Sequence, residues 1–280
     1  STPLIAKFYR PERWSEAQIL EEHRFSLELQ DAEISVVAPM VNDQGATLHT
    51  FEGFQFALFL RRGGYPPELD NLDNMLVLGR TLGRIHAVGR AGQFKVRHSL
   101  SVQRMLSDSR ALLLEKFIPR DLVPAYESLT ADLEQQVRSV FSEVQPEDFI
   151  RIHGDCHVGN ILWRDNTAHF VDFDDCCAAP AMQDLWMFLN GERHDRQLQL
   201  SELVEGYSEF CDFDPRQIRW IETLRTLRLI HYAAWLGRRW EDPAFPRSFT
   251  WFNTERYWAD HILELREQMS ALQEEPLQLL

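Results

Sequence analysis

The stretch Ile152-His153-Gly154-Asp155-Cys156-His157-Val158-Gly159-Asn160, with Ile161-Leu162-Trp163 after it and Ala168-His169-Phe170-Val171-Asp172 beyond, decides how this chain is read. A short apolar strand, 149–152, runs into a polar loop, and a second strand, 161–163, leaves it. Asp165-Asn166 then turns the chain into a third strand that ends on Asp172. A carboxylate at 155, an amide oxygen at 160 and another carboxylate at the strand end suit one kind of work. Asp155 can accept or orient a hydroxyl proton. Asn160 and Asp172 offer hard oxygen ligands to Mg²⁺, which bridges and neutralises nucleotide phosphates. An asparagine among aspartates adds a ligand without adding repulsion. Gly154 and Gly159 permit the tight backbone path this loop needs.

Outward from that hairpin the chain divides. Residues 4–9 form a strand carrying Lys7, and Pro11 and Ser15 stop it and cap a helix over about 16–30. Residues 35–41 and 47–60 read as further strands, turning at Asn42-Asp43-Gln44-Gly45. Arg61-Arg62-Gly63-Gly64-Tyr65-Pro66-Pro67 is the strongest linker signal, and it sets the boundary between a strand-rich lobe, 1–62, and a helical lobe, 63–280, with the catalytic hairpin 149–174 inside the second. Helical periodicity covers 71–88, about 103–114 and 125–144, and 218–240 reads as one helix. The expected fold class is therefore α+β, with a small strand lobe and a large helical one.

The bulk properties exclude several classes. The chain has 280 residues, with 29 Lys and Arg against 43 Asp and Glu, for a formal charge of −14. So acidic a chain has no general attraction for nucleic acid or anionic membranes, and neither is expected as a partner. No apolar run reaches the roughly 20 residues of a membrane span. Cys156, Cys176, Cys177 and Cys211 include no C-x-x-C pair, which points to reduced thiols in a cytoplasmic protein.

The pattern H-G-D-x-x-x-x-N, an apolar strand, then V-D-F-D resembles the catalytic segment of the aminoglycoside phosphotransferase and choline kinase group, relatives of the protein kinases. The resemblance implies a two-lobed kinase-like fold that uses ATP and Mg²⁺. It makes Asp155 the catalytic aspartate, Asn160 and Asp172 the metal ligands, and His153 a structural residue of the loop. Lys7 in L-I-A-K-F-Y matches the lysine that holds the nucleotide phosphates. Glu22 matches its ion-pair partner, with Glu21 as the other reading. Leu58, Phe59 and Leu60 match the hinge that receives adenine. The strings K-F-Y-R-P-E-R-W, I-L-E-E-H, Q-D-L-W-M-F-L-N-G and R-R-W-E-D-P-A-F-P are similar to a bacterial stress-response branch of the group, regarded as serine/threonine protein kinases.

The chain departs from protein kinases in two places. It has D-F-D-D where they have D-F-G, and only eleven residues separate Asp172 from Asp184, too few for a long activation loop. Kinase-like lobes also place a strand pair and a phosphate-covering loop before the lysine strand, and here the lobe begins at the lysine strand. Asp174 and Asp175 read either as a second metal site or as caps of the next segment. His157 and His86 read as packing histidines, and Asp184 as a brace of the catalytic loop.

Two other classes compete. A metallophosphatase reading of Gly154-Asp155-Cys156-His157 lacks the separate D-x-H and the G-N-H that such hydrolases need. A non-catalytic nucleotide scaffold is disfavoured by the presence of Lys7, Asp155, Asn160 and Asp172 together. On the expected helix 218–240, Arg225, Arg228, Tyr232, Trp235 and Arg239 share one face. Either they bind acidic side chains within the protein or they present a cationic, aromatic surface to an acceptor polypeptide. A small-molecule kinase acting on amino alcohols, sugars or aminoglycosides is the alternative to a protein kinase.

Overall fold

The computed structural model describes residues 3–280. In chain order its elements are β1 (Leu4–Phe8), α1 (Glu16–Asp31), β2 (His49–Phe51), β3 (Phe54–Leu60), α2 (Leu72–Arg90), α3 (Asp108–Lys116), α4 (Val123–Phe141), β4 (Phe149–Ile152), β5 (Ile161–Arg164), β6 (Thr167–Phe170), β7 (Cys177–Pro180), α5 (Met182–Leu185), α6 (Arg193–Ser208), α7 (Ile221–Gly237), α8 (Ala244–Ser248) and α9 (Glu255–Ala271). They form two compact units. One holds the chain up to Ser99 together with Glu147–Pro215 and Leu277–Leu280; the other holds Leu100–Pro146 and Arg216–Pro276.

In the first unit β1, β3 and β2 make an antiparallel sheet in that order, with Lys7 opposite Ala57. The reversal between β2 and β3 lies at Glu52-Gly53, both with positive φ, the backbone of a two-residue hairpin turn. The expected turn at 42–45 is also present, closed by Asn42 Oδ1, which accepts from the N–H groups of Gln44 and Ala46. It does not join two strands, however. Residues 35–41 make only isolated bridges, Val36 to Phe170 and Pro39 to Phe59, because Pro39 has no N–H to continue a ladder.

Ser15 caps α1 by accepting from Gln18 N, and the Gln18 side chain returns to Ser15 N, a reciprocal capping box. Ile19, Phe25 and Leu29 are fully buried on this helix, and Glu21, Glu22 and His23 are buried beside them. Acids inside a helix interface need specific partners, since burying a lone carboxylate is costly. α2 packs on α6 so closely that a Cβ at Gly79 would fall on the backbone of Leu203.

The strands expected over 149–174 lie in two small sheets. β5 pairs with β6 in the register Ile161 to Phe170, turning at Asp165 and Asn166, both with positive φ. β4 pairs with β7 rather than with its neighbours in sequence. β7 reads Cys-Ala-Ala-Pro and has no alternating pattern to announce it.

The second unit is helical, with α3 and α4 against α7 and α4 against α9. The expected helix over 103–114 begins as a π-helical stretch, Gln103–Ser107. The expected single helix 218–240 is a 3₁₀ segment, Pro215–Trp220, followed by α7. Among the described residues no helix is long and apolar enough to cross a membrane.

Candidate active site

The loop after β4 is held by one buried carboxylate. Asp184, fully buried, accepts from His153 N at 2.8 Å and Gly154 N at 2.9 Å. His86 Nε2 lies 3.1 Å from the same carboxylate, and His86 Nδ1 lies 3.1 Å from the Tyr207 hydroxyl. Asp184 is thus the brace expected from sequence, and His86 is a packing histidine. His153 Nε2 meets the Val171 carbonyl at 2.8 Å, and its ring lies 4.5 Å from Phe173. Gly154 has φ +86, and a Cβ there would collide with the Asp175 carbonyl, so only glycine fits this crossing.

Asp155 and Asn160 are joined directly: Asn160 Nδ2 donates to the Asp155 carbonyl at 2.9 Å. That bond leaves the other end of the amide, its oxygen, as the group available to a ligand. Asn160 is also tied to the segment after β6, its carbonyl accepting from Val171 N at 3.0 Å. Asp172 follows at once with φ 61, a left-handed conformation that costs a non-glycine residue about 1 kcal/mol or more and clusters at functional sites. Its side chain is 52% exposed. An amide oxygen and one exposed carboxylate form a hard donor set that fits Mg²⁺, which typically takes one or two protein carboxylates and keeps phosphate and water as its other ligands. Among the described residues no three His, Cys, Asp or Glu side chains form a metal cage.

Lys7 reaches across from β1, with Nζ 2.7 Å from Asp172 Oδ1 and 3.3 Å from Asp174 Oδ1. Burial pulls its pKa down, but Glu22, Asp174 and Asp172 outweigh that and raise it. Of the charges around Lys7, that of Glu22 acts most strongly. Direct contact nevertheless goes to the two aspartates, and the nearest cation in the ion pairs of Glu22 is Arg97, at 4.0 Å. Burial pushes Glu22 up to about 7, opposed chiefly by Lys7. Glu21 has a different task. Its carboxylate accepts from Lys95 N at 2.6 Å, Val96 N at 2.9 Å and Arg97 N at 2.7 Å, so it fastens α1 to the segment after α2. Arg151 adds a second fastening through Glu28, at 2.7 Å.

Phe59 and Leu60 lie beside Lys7's strand, paired with Ile5 and Leu4. The Phe59 side chain packs on the lobe core of Tyr9, Trp14, Ile19 and Ala57.

One expectation is corrected. His157 is not a packing histidine: its side chain is 40% exposed, and Nε2 lies 3.5 Å from Asp155 Oδ2. Its Nδ1 accepts from Gly159 N at 3.0 Å, which puts the proton of the neutral ring on Nε2, facing Asp155.

Arg13 and Arg97 were missed altogether. Arg13 is ion-paired to Asp174 through Nη1 and forks to both oxygens of Asp175 through Nη2, at 2.8 and 3.0 Å. Buried Arg97 donates to the carbonyls of Cys176 and Asp174, and its guanidinium lies 4.2 Å from the Trp14 ring. Arg13 stands in the quoted string K-F-Y-R-P-E-R-W; Arg97 carries no local signal at all. On α7, Arg225 pairs with Glu222 at 3.1 Å, and just past its end Arg239 stacks on Trp235 at 4.4 Å, so part of the expected cationic stripe is engaged by neighbours along the chain.

Known proteins resemble this chain at several levels. The family model described as "Phosphotransferase enzyme family" matches residues 1–221. Stress response kinase A of Escherichia coli (strain K12) is 46% identical over 278 residues, which are 98% of this chain and 83% of that protein. A Salmonella typhimurium relative, "Serine/threonine protein kinase RdoA", is 44% identical over the same shares. A solved structure of amicoumacin kinase hAmiN with AMP-PNP, Ca²⁺ and Ami superposes with a TM-score of 0.75 at 19% identity, covering 95% of this chain and 82% of that one. The α+β, protein-kinase-like fold is shared with it.

Proposed function

The chain belongs to the phosphotransferase enzyme family and is a kinase, and we propose that it passes the γ-phosphoryl group of ATP to a serine or threonine hydroxyl of a protein. The observation that carries the reading is a convergence. Lys7 from β1 lies 2.7 Å from Asp172, and the loop before β5 bonds Asn160 to Asp155. Val171 N donates to the Asn160 carbonyl, so Asp172 follows directly on the loop's neighbour, and this grouping of cation, carboxylates and amide supports phosphoryl transfer.

In this reading Asp155 receives and orients the acceptor hydroxyl, and its loop is kept in place by Asp184. Asn160 and Asp172 hold Mg²⁺, which when bound supplies charge neutralisation at the phosphates. Lys7 presents its ammonium to the phosphates, and the β3 end, Phe59 and Leu60, lines the adenine position. Glu22, with Asp174 and Asp172, favours the protonated form of Lys7. No strongly perturbed base is required, because positioning and electrostatics carry most of this chemistry. The fastenings of α1 through Glu21 and Arg151 support a site assembled without an activating modification. A cytoplasmic location, with all four cysteines as buried thiols, belongs to the same reading.

The Salmonella relative's name supports a protein acceptor, and a role in bacterial stress follows the Escherichia coli one. The test is a coupled ADP-release assay with Mg²⁺-ATP on protein substrates beside amino alcohols, sugars and aminoglycosides. Asp155-dependent labelling of protein is expected. Saturable turnover on a small cation, with no labelled protein, would replace the acceptor and leave the phosphotransfer intact.

A further inference from the structure

In a chain of formal charge −14, the helical unit brings together two arginines that no acid pairs. Arg104 stands on the π-helical stretch Gln103–Ser107, which continues directly into α3, and Arg238 lies just past the end of α7. Both are exposed. The buried Ser109 hydroxyl joins their two elements. It accepts from Arg238 Nη2 at 3.2 Å, and it lies 3.4 Å from the Arg104 carbonyl and 3.3 Å from His231 Nδ1. Partial burial and the charge of Arg104 lower the pKa of Arg238, and Asp108 only partly offsets them. Among the described residues neither guanidinium is ion-paired to a carboxylate, and Asp108 takes its hydrogen bond from Gln103 Nε2 at 2.8 Å.

Like charges held together destabilise a fold unless something neutralises them. A helix dipole accounts for a cation at Arg238, beyond the C-terminal end of α7. It does not account for Arg104, in the first turn of its helix, where a cation is disfavoured. The π-turn beneath Arg104 is a rare backbone form that frequently marks functional sites. Arg238 gives one N–H to Ser109, which fixes the guanidinium and leaves its other donors for a ligand. Paired guanidinium groups match the oxygens of a carboxylate or a phosphate, to which each can present two parallel N–H donors.

We propose that Arg104 and Arg238 bind an oxyanion carried by the acceptor polypeptide, the carboxylate of an acidic residue or the phosphate of a modified one. The proposal rests on the protein acceptor given under Proposed function.

The test measures kcat and KM of the full chain for phosphorylated casein, dephosphorylated casein and myelin basic protein. Beside it, the Nε–H nuclear magnetic resonance signals of both arginines are followed as inorganic phosphate is added. Phosphate is expected to shift both signals saturably in the wild type. Arg104→Gln and Arg238→Gln should each raise KM for the acidic caseins about tenfold, as for loss of a charge-assisted hydrogen bond. Turnover, KM for ATP and KM for the basic protein should stay within about twofold of the wild type. A rise confined to phosphorylated casein would assign the site to phosphate, and a rise shared by both caseins would assign it to carboxylates as well. KM values that stay unchanged, or that rise equally for acidic and basic substrates, would overturn the proposal, as would arginine signals that ignore phosphate. Signals that shift in a wild type that labels no protein would keep the oxyanion site and overturn the protein acceptor instead.

Discussion

The loop at 153–160 and the turn at 172–175 flank the same site and are held by opposite means. The loop hangs on one buried carboxylate, Asp184, that takes two backbone N–H groups with His86 behind it. Within the loop, Asn160 Nδ2 donates to the Asp155 carbonyl and Gly159 N to His157 Nδ1. The turn is held by charge, with Lys7, Arg13 and Arg97 set against Asp172, Asp174, Asp175 and Glu22. The difference assigns the two regions different sensitivities. A hydrogen-bonded loop keeps its geometry when ions come and go, which suits a residue that must point at an acceptor. In the proposed reading, the half-exposed Asp172 at the start of that turn is the group a metal ion would meet.

The largest effect should separate the two by function. Asp155→Asn is expected to lower turnover by about 10²–10⁴-fold while nucleotide affinity stays near normal, as for loss of a positioned base. Asp172→Ala should abolish metal-dependent nucleotide binding instead. Calorimetric titration of Mg²⁺-ATP into both variants reads the contrast, and equal loss of binding in the two would erase it.

The next effect breaks the loop's clamp. Asp184→Ala leaves two buried N–H groups without an acceptor and is expected to cost about 3–5 kcal/mol in urea unfolding. A loss under about 1 kcal/mol would mean that the loop stands without Asp184.

On the turn's side the expectation is a pH dependence. Burial, helped by the charge on Lys7, lowers His23 from 6.5 to about 4, and its ring nitrogens meet the Tyr9 and Thr47 hydroxyls. Because the unfolded chain takes up this proton first, the contribution is present above pH 6.5 and is lost as pH falls towards 4. The slope is at most about 1.4 kcal/mol per unit. Glu22, raised from 4.5 to about 7 by burial, runs the other way: its contribution is present below 4.5 and is lost as pH rises through 7. The two offset each other through the overlap. His23→Gln should therefore uncover stability that declines from pH 4.5 to 7, measured as urea midpoints across that range. A variant profile parallel to the wild type would show that neither group carries the effect.

The smallest effect concerns the exposed histidine of the loop. His157→Ala should change stability by no more than about 0.5 kcal/mol, as for an exposed side chain, with turnover reduced less than about tenfold. A stability loss above 1 kcal/mol would assign His157 to the fold and not to Asp155.

How much of this could be read beforehand varies by residue. The hairpin from Ile161 to Phe170 was legible because Asp165-Asn166 is a strong turn signal between apolar runs. The Glu52-Gly53 hairpin was not, since its first residue gives no such signal, and the more conspicuous Asn42–Gly45 turn drew the reading upstream. Residues 35–41 have strand composition, but Pro39 reduces them to single bridges. His157 was misread because its neighbours along the chain do not reveal that its ring faces solvent and Asp155.

By itself the sequence determined the chemistry on offer: the spacing of Asp155, Asn160 and Asp172, the lysine strand, and the cap that starts α1. These are local properties, set by turn geometry, helix capping and apolar periodicity within a few residues. The tertiary structure alone decided which charge meets which. Glu21 went to backbone N–H groups 74 to 76 residues away, and Arg13 to an aspartate 162 residues away. Electrostatic partners are chosen by distance in space and by loss of water, and neither quantity is written along the chain.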